Sequence, residues 1–146
     1  MSDRRRRLYA EYAAALGAAV LFCAGWRAIV GGQADGWWLI RDAGAFGMLV
    51  VAYPVIEELS FRGVVQGALA AWTRRRTLLP GISWANLLTS VLFAVIHFVH
   101  HPPLWAVAVV VPSLIFGYFR DRTGGVLSSI GLHAFYNLIF YSLVGK

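Results

Sequence analysis

Long apolar segments alternate with short charged or turn-forming segments along this chain. The apolar segments cover residues 8–30, 43–72, 83–100, 104–119 and 126–144, and Asp, Glu, Lys and Arg are absent from residues 77–119 and 123–145. A membrane-spanning helix needs about 20 largely apolar residues, whereas the strands of a membrane barrel alternate polar and apolar side chains. We therefore predict an all-α fold, a polytopic transmembrane helical bundle with about five spanning helices, or six if residues 43–72 break into two.

A turn-rich loop separates the first two predicted helices, and a proline interrupts the second. A turn-rich loop covers residues 31–36, and Trp37 and Trp38 after it are expected at the membrane interface. Pro54 lies inside the second helical segment, where the missing N–H of proline predicts a kink.

Charge is sparse but strongly clustered. The chain is 59% hydrophobic and 14% charged with a net charge of +6, and nine of its 13 basic residues fall in three clusters that flank the apolar segments: Arg4 to Arg7, Arg74 to Arg76, and Arg120 with Arg122. Basic clusters beside spanning helices mark cytoplasmic loops, and five crossings place all three clusters on that side. We predict an integral protein of the prokaryotic cytoplasmic (inner) membrane with a cytoplasmic N-terminus. Clusters this short, placed beside apolar segments, predict contact with lipid head groups and no nucleic-acid partner.

The cysteine content limits the covalent chemistry of the chain. Cys23 is the single cysteine, so neither an intramolecular disulfide nor a thiolate metal cage is possible. A basic start before an apolar run also resembles a signal peptide, but this run continues to about Val30, and we predict an uncleaved first helix. We predict one domain over residues 1–146, with residues 1–42 as the N-terminal part and residues 43–145 as the core.

A few polar side chains interrupt the apolar core, and these are the candidates for chemistry. Glu57 and Glu58 are adjacent, and ionised groups at membrane depth are costly unless they face a cavity or a counter-ion. Arg62 stands four residues after Glu58 on the same helix face, whereas Glu57 points about 100° away. His133 and Asn137 share the same i, i+4 spacing on another predicted helix.

These residue types suit hydrolysis of a peptide bond without a Ser or Cys nucleophile. A carboxylate and an imidazole, His97 for example, can together hold and deprotonate a water molecule. A second imidazole and a carboxamide can donate hydrogen bonds to the oxyanion that forms when water adds to an amide carbonyl. Spacing alone leaves open which of Glu57 and Glu58 is the base.

Three motifs carry a specific resemblance. Residues 57–63 read Glu-Glu-Leu-Ser-Phe-Arg-Gly, residues 93–97 read Phe-Ala-Val-Ile-His, and residues 133–137 read His-Ala-Phe-Tyr-Asn. In this order they resemble the E-E-x-x-x-R, F-x-x-x-H and H-x-x-x-N motifs of the CAAX protease and bacteriocin-processing family, also called the Abi family. Members are glutamic-type intramembrane proteases.

The resemblance implies a role for each motif residue and no cofactor or metal. It makes Glu57 the general base, with His97 helping to position and activate the attacking water. The tetrahedral oxyanion would be stabilised by His133 and Asn137. The remaining motif residues would support the site, two as an orienting ion pair and one by packing: Glu58, Arg62 and Phe93.

Several other interpretations of the same residues stay open. The glutamates could be a structural pair neutralised by the arginine, His97 could bridge helices, and the residues at 133 and 137 could be interhelical hydrogen-bonding groups. Glu57, His97 and His133 could in principle ligate zinc. On the same scaffold, a non-catalytic immunity or partner-binding protein is the main alternative function, and a proton-relaying transporter is a third.

The substrate expected for the hydrolase is a membrane-bound protein or peptide. Relatives process prenylated proteins, peptides, or sorting-tail proteins with a short hydrophobic tail that ends in basic residues. A small chain like this one fits the last class best, a myxosortase-like protease, by analogy alone. The sequence gives no oligomeric state.

Overall fold

The computed structural model describes residues 2–31 and 33–145, most of them in helices. The helices are α1 (Asp3–Val30), α2 (Trp38–Arg41), α3 (Ala43–Trp72), α4 (Trp84–His97), α5 (Pro103–Thr123) and α6 (Leu127–Leu143). Two short antiparallel strands, β1 (Thr77–Leu79) and β2 (Ile82–Ser83), connect α3 to α4, with Thr77 paired to Ser83. The predicted all-α helical fold is confirmed, and the strand pair is a small addition to it.

Three of the described helices, α1, α3 and α5, are long and apolar enough to cross a membrane. Helix α4 is apolar but has 14 residues, and α6 has 17 residues and contains no Asp, Glu, Lys or Arg. The helices of this polytopic fold therefore fall where the apolar segments predicted them. The count of five crossings and their direction remain predictions.

Local sequence explains where α4 and α5 begin and end. The Ser83 side chain caps α4 by accepting a hydrogen bond from the Asn86 backbone N–H at 3.0 Å. Helix α4 ends at His97 rather than at the predicted residue 100, because residues before a proline disfavour helical dihedrals and two prolines follow at 102 and 103. Helix α5 ends at Thr123, and Gly124 after it has a φ of 76°, which lies in the left-handed region that favours glycine.

Prolines interrupt two helices. Because proline has no N–H, Pro54 cannot donate to the Val50 carbonyl, and a π-helical stretch, Gly47–Ala52, ends two residues before it. A second π-helical stretch, Leu59–Val65, follows the two glutamates. Pro112 likewise cannot donate to Ala108, and the regular helix breaks there, at Val109. The irregular turns of α3 therefore flank the polar residues that the sequence singles out.

The described residues up to Ala52, together with those from Ala134 onward, form one compact unit. Its packing involves Cys23, which is buried, and Tyr136, whose hydroxyl donates to the Ala15 carbonyl at 3.3 Å. Trp38 is buried here and its indole N–H donates to Ser142 Oγ at 3.3 Å. Trp37 is exposed, whereas Trp38 is buried, and the membrane-interface position of the two tryptophans stays a prediction.

Residues Tyr53–His133 form the second compact unit. Its apolar core is centred on Phe93 and Ala94 of α4 and Val109 of α5, and the partly buried side chains around them are Phe61, Trp105 and Val110. Helices α4 and α5 pack closely in this unit. The single domain predicted over residues 1–146 stays a prediction.

A glycine sets the distance between α4 and α5. A Cβ added at Gly117 would lie 1.9 Å from Asn86 Oδ1, far inside van der Waals contact. Asn86 is itself fixed, because its amide donates to the Leu114 carbonyl at 3.0 Å and its oxygen accepts from Ser90 Oγ at 3.2 Å. Small residues let membrane helices approach this closely.

We expect Gly117→Ala to lower the free energy of unfolding by about 1–3 kcal/mol, the usual cost of overpacking. Unfolding of the full chain in detergent micelles measures it. The matched control is Gly63→Ala, where the added Cβ would make ordinary contacts, with Val126 Cγ1 at 3.8 Å and the Glu58 carbonyl oxygen at 4.0 Å. In an Asn86→Ala background the effect of Gly117→Ala should shrink, and an equal effect in both backgrounds would contradict this packing.

Candidate active site

A fully buried ion pair lies at the centre of the second unit. Arg62 Nη1 is 3.1 Å from Glu58 Oε1, and both side chains have 0% exposure. The i, i+4 pairing expected from the sequence is therefore present, although the helix between the two residues is π-helical. A buried charge pair of this kind must be well supported, because desolvation of two ions is costly.

Side chains of helices α4 and α5 contact Arg62 and stabilise its buried charge. Its Nη2 donates to Ser113 Oγ at 2.7 Å and to the Ser113 carbonyl at 3.1 Å. The guanidinium carbon lies 4.7 Å from the ring centre of Phe93 and 5.5 Å from that of Phe116, both within cation–π range. Arg62 is thus fixed by one carboxylate, one serine and two aromatic rings.

His133 of α6 contacts both glutamates. Its Nδ1 lies 2.8 Å from Glu58 Oε1, and because a carboxylate can only accept, Nδ1–H is the donor. Its Nε2 is 3.7 Å from Glu57 Oε2, which is an ion-pair distance when the ring is protonated. The ring stacks on Phe116 with centroids 4.9 Å apart and planes 21° apart. Glu58 therefore orients His133, and the opposite ring nitrogen faces Glu57.

The two adjacent glutamates lie in different environments. The Glu58 side chain has no exposed surface and one of its oxygens binds both Arg62 and His133. The Glu57 side chain is 33% exposed. A carboxylate that already pairs with a buried arginine is poorly available for proton transfer, whereas Glu57 keeps exposed surface.

His97 is oriented by its own helix. Its Nδ1 lies 2.7 Å from the Phe93 carbonyl oxygen, so Nδ1–H donates and, in the neutral ring, Nε2 carries the free lone pair. The ring packs on Phe93 at 4.4 Å between centroids and stacks on His101 at 5.5 Å. No hydrogen bond or ion pair joins His97 to Glu57 within the described residues, so a shared water between them remains a prediction.

His101 lies in the turn after α4. Desolvation, and to a smaller extent the neighbouring His100, lowers the pKa of the His101 imidazole from its ordinary value. The lowered pKa favours the neutral His101 ring, which stacks on His97.

Asn137 lies in the first unit, one turn after His133 along α6. Its amide nitrogen donates to the Leu49 carbonyl at 2.8 Å. This hydrogen bond fixes the side chain. The predicted oxyanion role of Asn137 stays a prediction.

The residues assembled here lie inside one region that matches a known family. A family model described as type II CAAX prenyl endopeptidase Rce1-like matches residues 37–139, more than two thirds of the chain. The chain belongs to this Rce1-like family. Comparisons with curated proteins and with solved structures gave no match.

Membership in the Rce1-like family confirms the resemblance to the CAAX protease and bacteriocin-processing family. Together with the candidate spans, it makes the chain an integral membrane protein and a CAAX protease-like peptidase. The substrate class of such a peptidase is a membrane-embedded protein or peptide.

Two residues that hold this Rce1-like site together were not predicted from the sequence. Ser113 binds Arg62, and Phe116 contacts both Arg62 and His133. The one available signal for Ser113 was an isolated hydroxyl in a continuous apolar run directly after Pro112. Phe116 has no distinguishing signal, because it is one apolar residue among many in α5.

The zinc alternative needs three ligands placed around one point. Within residues 2–31 and 33–145, no group of three His, Cys, Asp or Glu side chains is arranged to hold a metal ion. Glu57, His97 and His133 therefore do not form the two-histidine, one-carboxylate site considered from the sequence.

Proposed function

We propose that this member of the Rce1-like family is a glutamic-type intramembrane endopeptidase. The observation that carries the proposal is the pairing of an accessible carboxylate, Glu57, with an imidazole whose far side is fixed by the buried carboxylate of Glu58. An accessible base beside an oriented imidazole is the arrangement that water-mediated acyl transfer requires.

The proposed reaction begins at a water molecule held against Glu57. Glu57 removes a proton as the water oxygen attacks the carbonyl carbon of the scissile peptide bond, which gives a tetrahedral oxyanion. When the C–N bond breaks, Glu57 returns the proton to the leaving amine. The exposed fraction of Glu57, against the complete burial of Glu58, supports this choice of base.

Stabilisation of the oxyanion is assigned to His133 and, by the family motif, to Asn137. Since Nδ1–H of His133 donates to Glu58, its Nε2 can donate to an oxyanion only when the ring carries both protons. Carboxylate oxygens of Glu57 and Glu58 lie 3.7 Å from its Nε2 and 2.8 Å from its Nδ1. His97, with its Nδ1–H directed to the Phe93 carbonyl, is proposed to accept a hydrogen bond from the attacking water through Nε2.

The proposed substrate is a membrane-bound protein or peptide, cleaved by an enzyme of the prokaryotic cytoplasmic membrane with its N-terminus in the cytoplasm. A hydrophobic sorting tail that ends in basic residues is the substrate we favour, as in a myxosortase-like protease. The basic clusters beside the helices support the orientation, because arginines accumulate on the cytoplasmic side.

A peptidase assay under chelation tests the proposed class. The full chain in micelles is given two probes, a farnesylated peptide with a CAAX terminus and a peptide with a hydrophobic tail ending in arginines. We expect cleavage of at least one probe, with a rate that EDTA and serine- or cysteine-directed inhibitors leave unchanged. Loss of the rate in chelator with recovery on adding zinc would identify a metallopeptidase. Binding without cleavage of either probe would favour the non-catalytic immunity or partner-binding alternative.

A further inference from the structure

The segment that joins α3 to α4 presents apolar and basic side chains side by side. Trp72 at the end of α3 is 75% exposed, and Trp84 at the start of α4 and Leu79 of β1 are exposed as well. Because α3 is long enough to cross a membrane, its end lies near a membrane surface. Exposed tryptophans at such a level are typical of the membrane interface.

Between these tryptophans the backbone adopts an unusual turn. Arg74 and Arg75 have φ angles of 50° and 54°, the left-handed region in which non-glycine residues are strained. The Arg75 N–H donates to the Ala70 carbonyl at 2.8 Å, so the turn closes the end of α3 at positions where Gly or Asn is usual. Two arginines occupy these positions at an energetic cost, which points to a use for their side chains.

The three consecutive arginines of this turn, Arg74 to Arg76, line two different cavities. Arg74 and Arg76 line a groove of about 510 Å³ together with Trp72, Thr73, Trp84 and Leu88. Arg75 instead lines a neighbouring cavity of about 290 Å³ that also contains Asp121. The larger groove has no acidic residue among its lining side chains, and within the described part of the chain the Arg74 and Arg76 side chains have no ion-pair partner.

We propose that this groove, lined by Trp72, Arg74, Arg76, Trp84 and Leu88, binds one anionic phospholipid. The two guanidinium groups would bind the head-group phosphate, and the indole and leucine side chains would contact the glycerol and the first acyl carbons. The groove is open at a membrane surface, carries two uncompensated positive charges, and has apolar walls of aromatic character. Each of these properties complements such a lipid, because basic side chains at a membrane surface attract anionic head groups.

Lipid titration of the full chain tests the site. Delipidated protein in a neutral detergent is titrated with phosphatidylglycerol, and the lipid-bound fraction is measured by native mass spectrometry. We expect one tightly bound lipid. The double variant Arg74→Gln, Arg76→Gln should bind it about 25-fold more weakly, since each arginine near the surface contributes about fivefold.

Arg75→Gln is the matched control for Arg74→Gln. The two residues are adjacent, both adopt the left-handed conformation, and both changes remove one charge, but only Arg74 lines the groove. We expect Arg74→Gln to weaken binding about fivefold and Arg75→Gln to change it by less than about twofold. Arg74→Lys, Arg76→Lys keeps the charge and should retain most of the binding, which separates loss of the site from loss of folding.

Three results would overturn the proposal. Equal weakening by Arg74→Gln and Arg75→Gln would show a general positive field without a site. Equal binding of phosphatidylcholine would remove the role of the anionic head group, and displacement of the lipid by inorganic phosphate at the same concentration would indicate a site for free phosphate. None of these results depends on peptidase activity.

Discussion

Glu57→Gln should lower kcat/KM for cleavage of a responsive peptide probe by about 10³-fold, within the usual contribution of a general base. The change is nearly isosteric and keeps a hydrogen-bonding side chain, but an amide cannot take a proton from water. Because a third of the Glu57 side chain is exposed, the variant should keep its fold. Its free energy of unfolding should stay within about 0.5 kcal/mol of the unmodified chain. Initial rates in micelles and unfolding of the same preparation measure both quantities.

Glu58→Gln is the matched comparison for Glu57→Gln. It makes the same chemical change one residue away, but it removes the negative charge opposite buried Arg62 and beside His133. We expect it to reduce both the rate and the stability, since an unpaired buried cation remains. If Glu57→Gln instead kept full activity while Glu58→Gln lost activity at unchanged stability, the roles assigned to the two carboxylates would be reversed.

The parts of the fold that the sequence predicted are those that depend on long apolar runs. Helix α3 has the predicted bounds, Ala43–Trp72, because charged or turn-forming residues stand just outside both ends. The pair Glu58 and Arg62 also followed from spacing alone. Both inferences use local periodicity, which an irregular helix turn does not abolish.

Contacts that arise from tertiary packing could not be predicted in the same way. The β1–β2 pair buries neither of its faces, so its side chains carry no alternating pattern. Ser113 binds Arg62 partly through its carbonyl, a group that every residue has. The environments of Glu57 and Glu58 differ because α6 contributes His133 against Glu58, and α5 contributes Ser113 to the Arg62 that pairs with it. The two neighbours in sequence give no sign of that difference.

Arg62→Met should destabilise the chain by about 3–5 kcal/mol, the usual cost of leaving one buried charge without its partner. The variant keeps an unbranched apolar stem but removes the ion pair with Glu58, both hydrogen bonds to Ser113 and the cation–π contact with Phe93. Adding Glu58→Gln to it should recover part of the loss, because the uncompensated carboxylate is then neutral. Arg62→Lys keeps the charge without the planar fork and should fall between the two.

Arg41→Met is the control that separates burial from ion pairing. Arg41 also pairs with an acidic residue, Asp35, but its side chain is 66% exposed. Exposed pairs of this kind contribute about 0–1 kcal/mol, so this variant should unfold close to the unmodified chain. Unfolding of all variants in one detergent gives the comparison. If Arg62→Met and Arg41→Met had equally small effects, Arg62 would be reached by water and the buried charge pair would not be what orients His133. That result would contradict the geometry assigned to the peptidase site, because Arg62 is the residue of α3 that contacts both α4 and α5 in this unit.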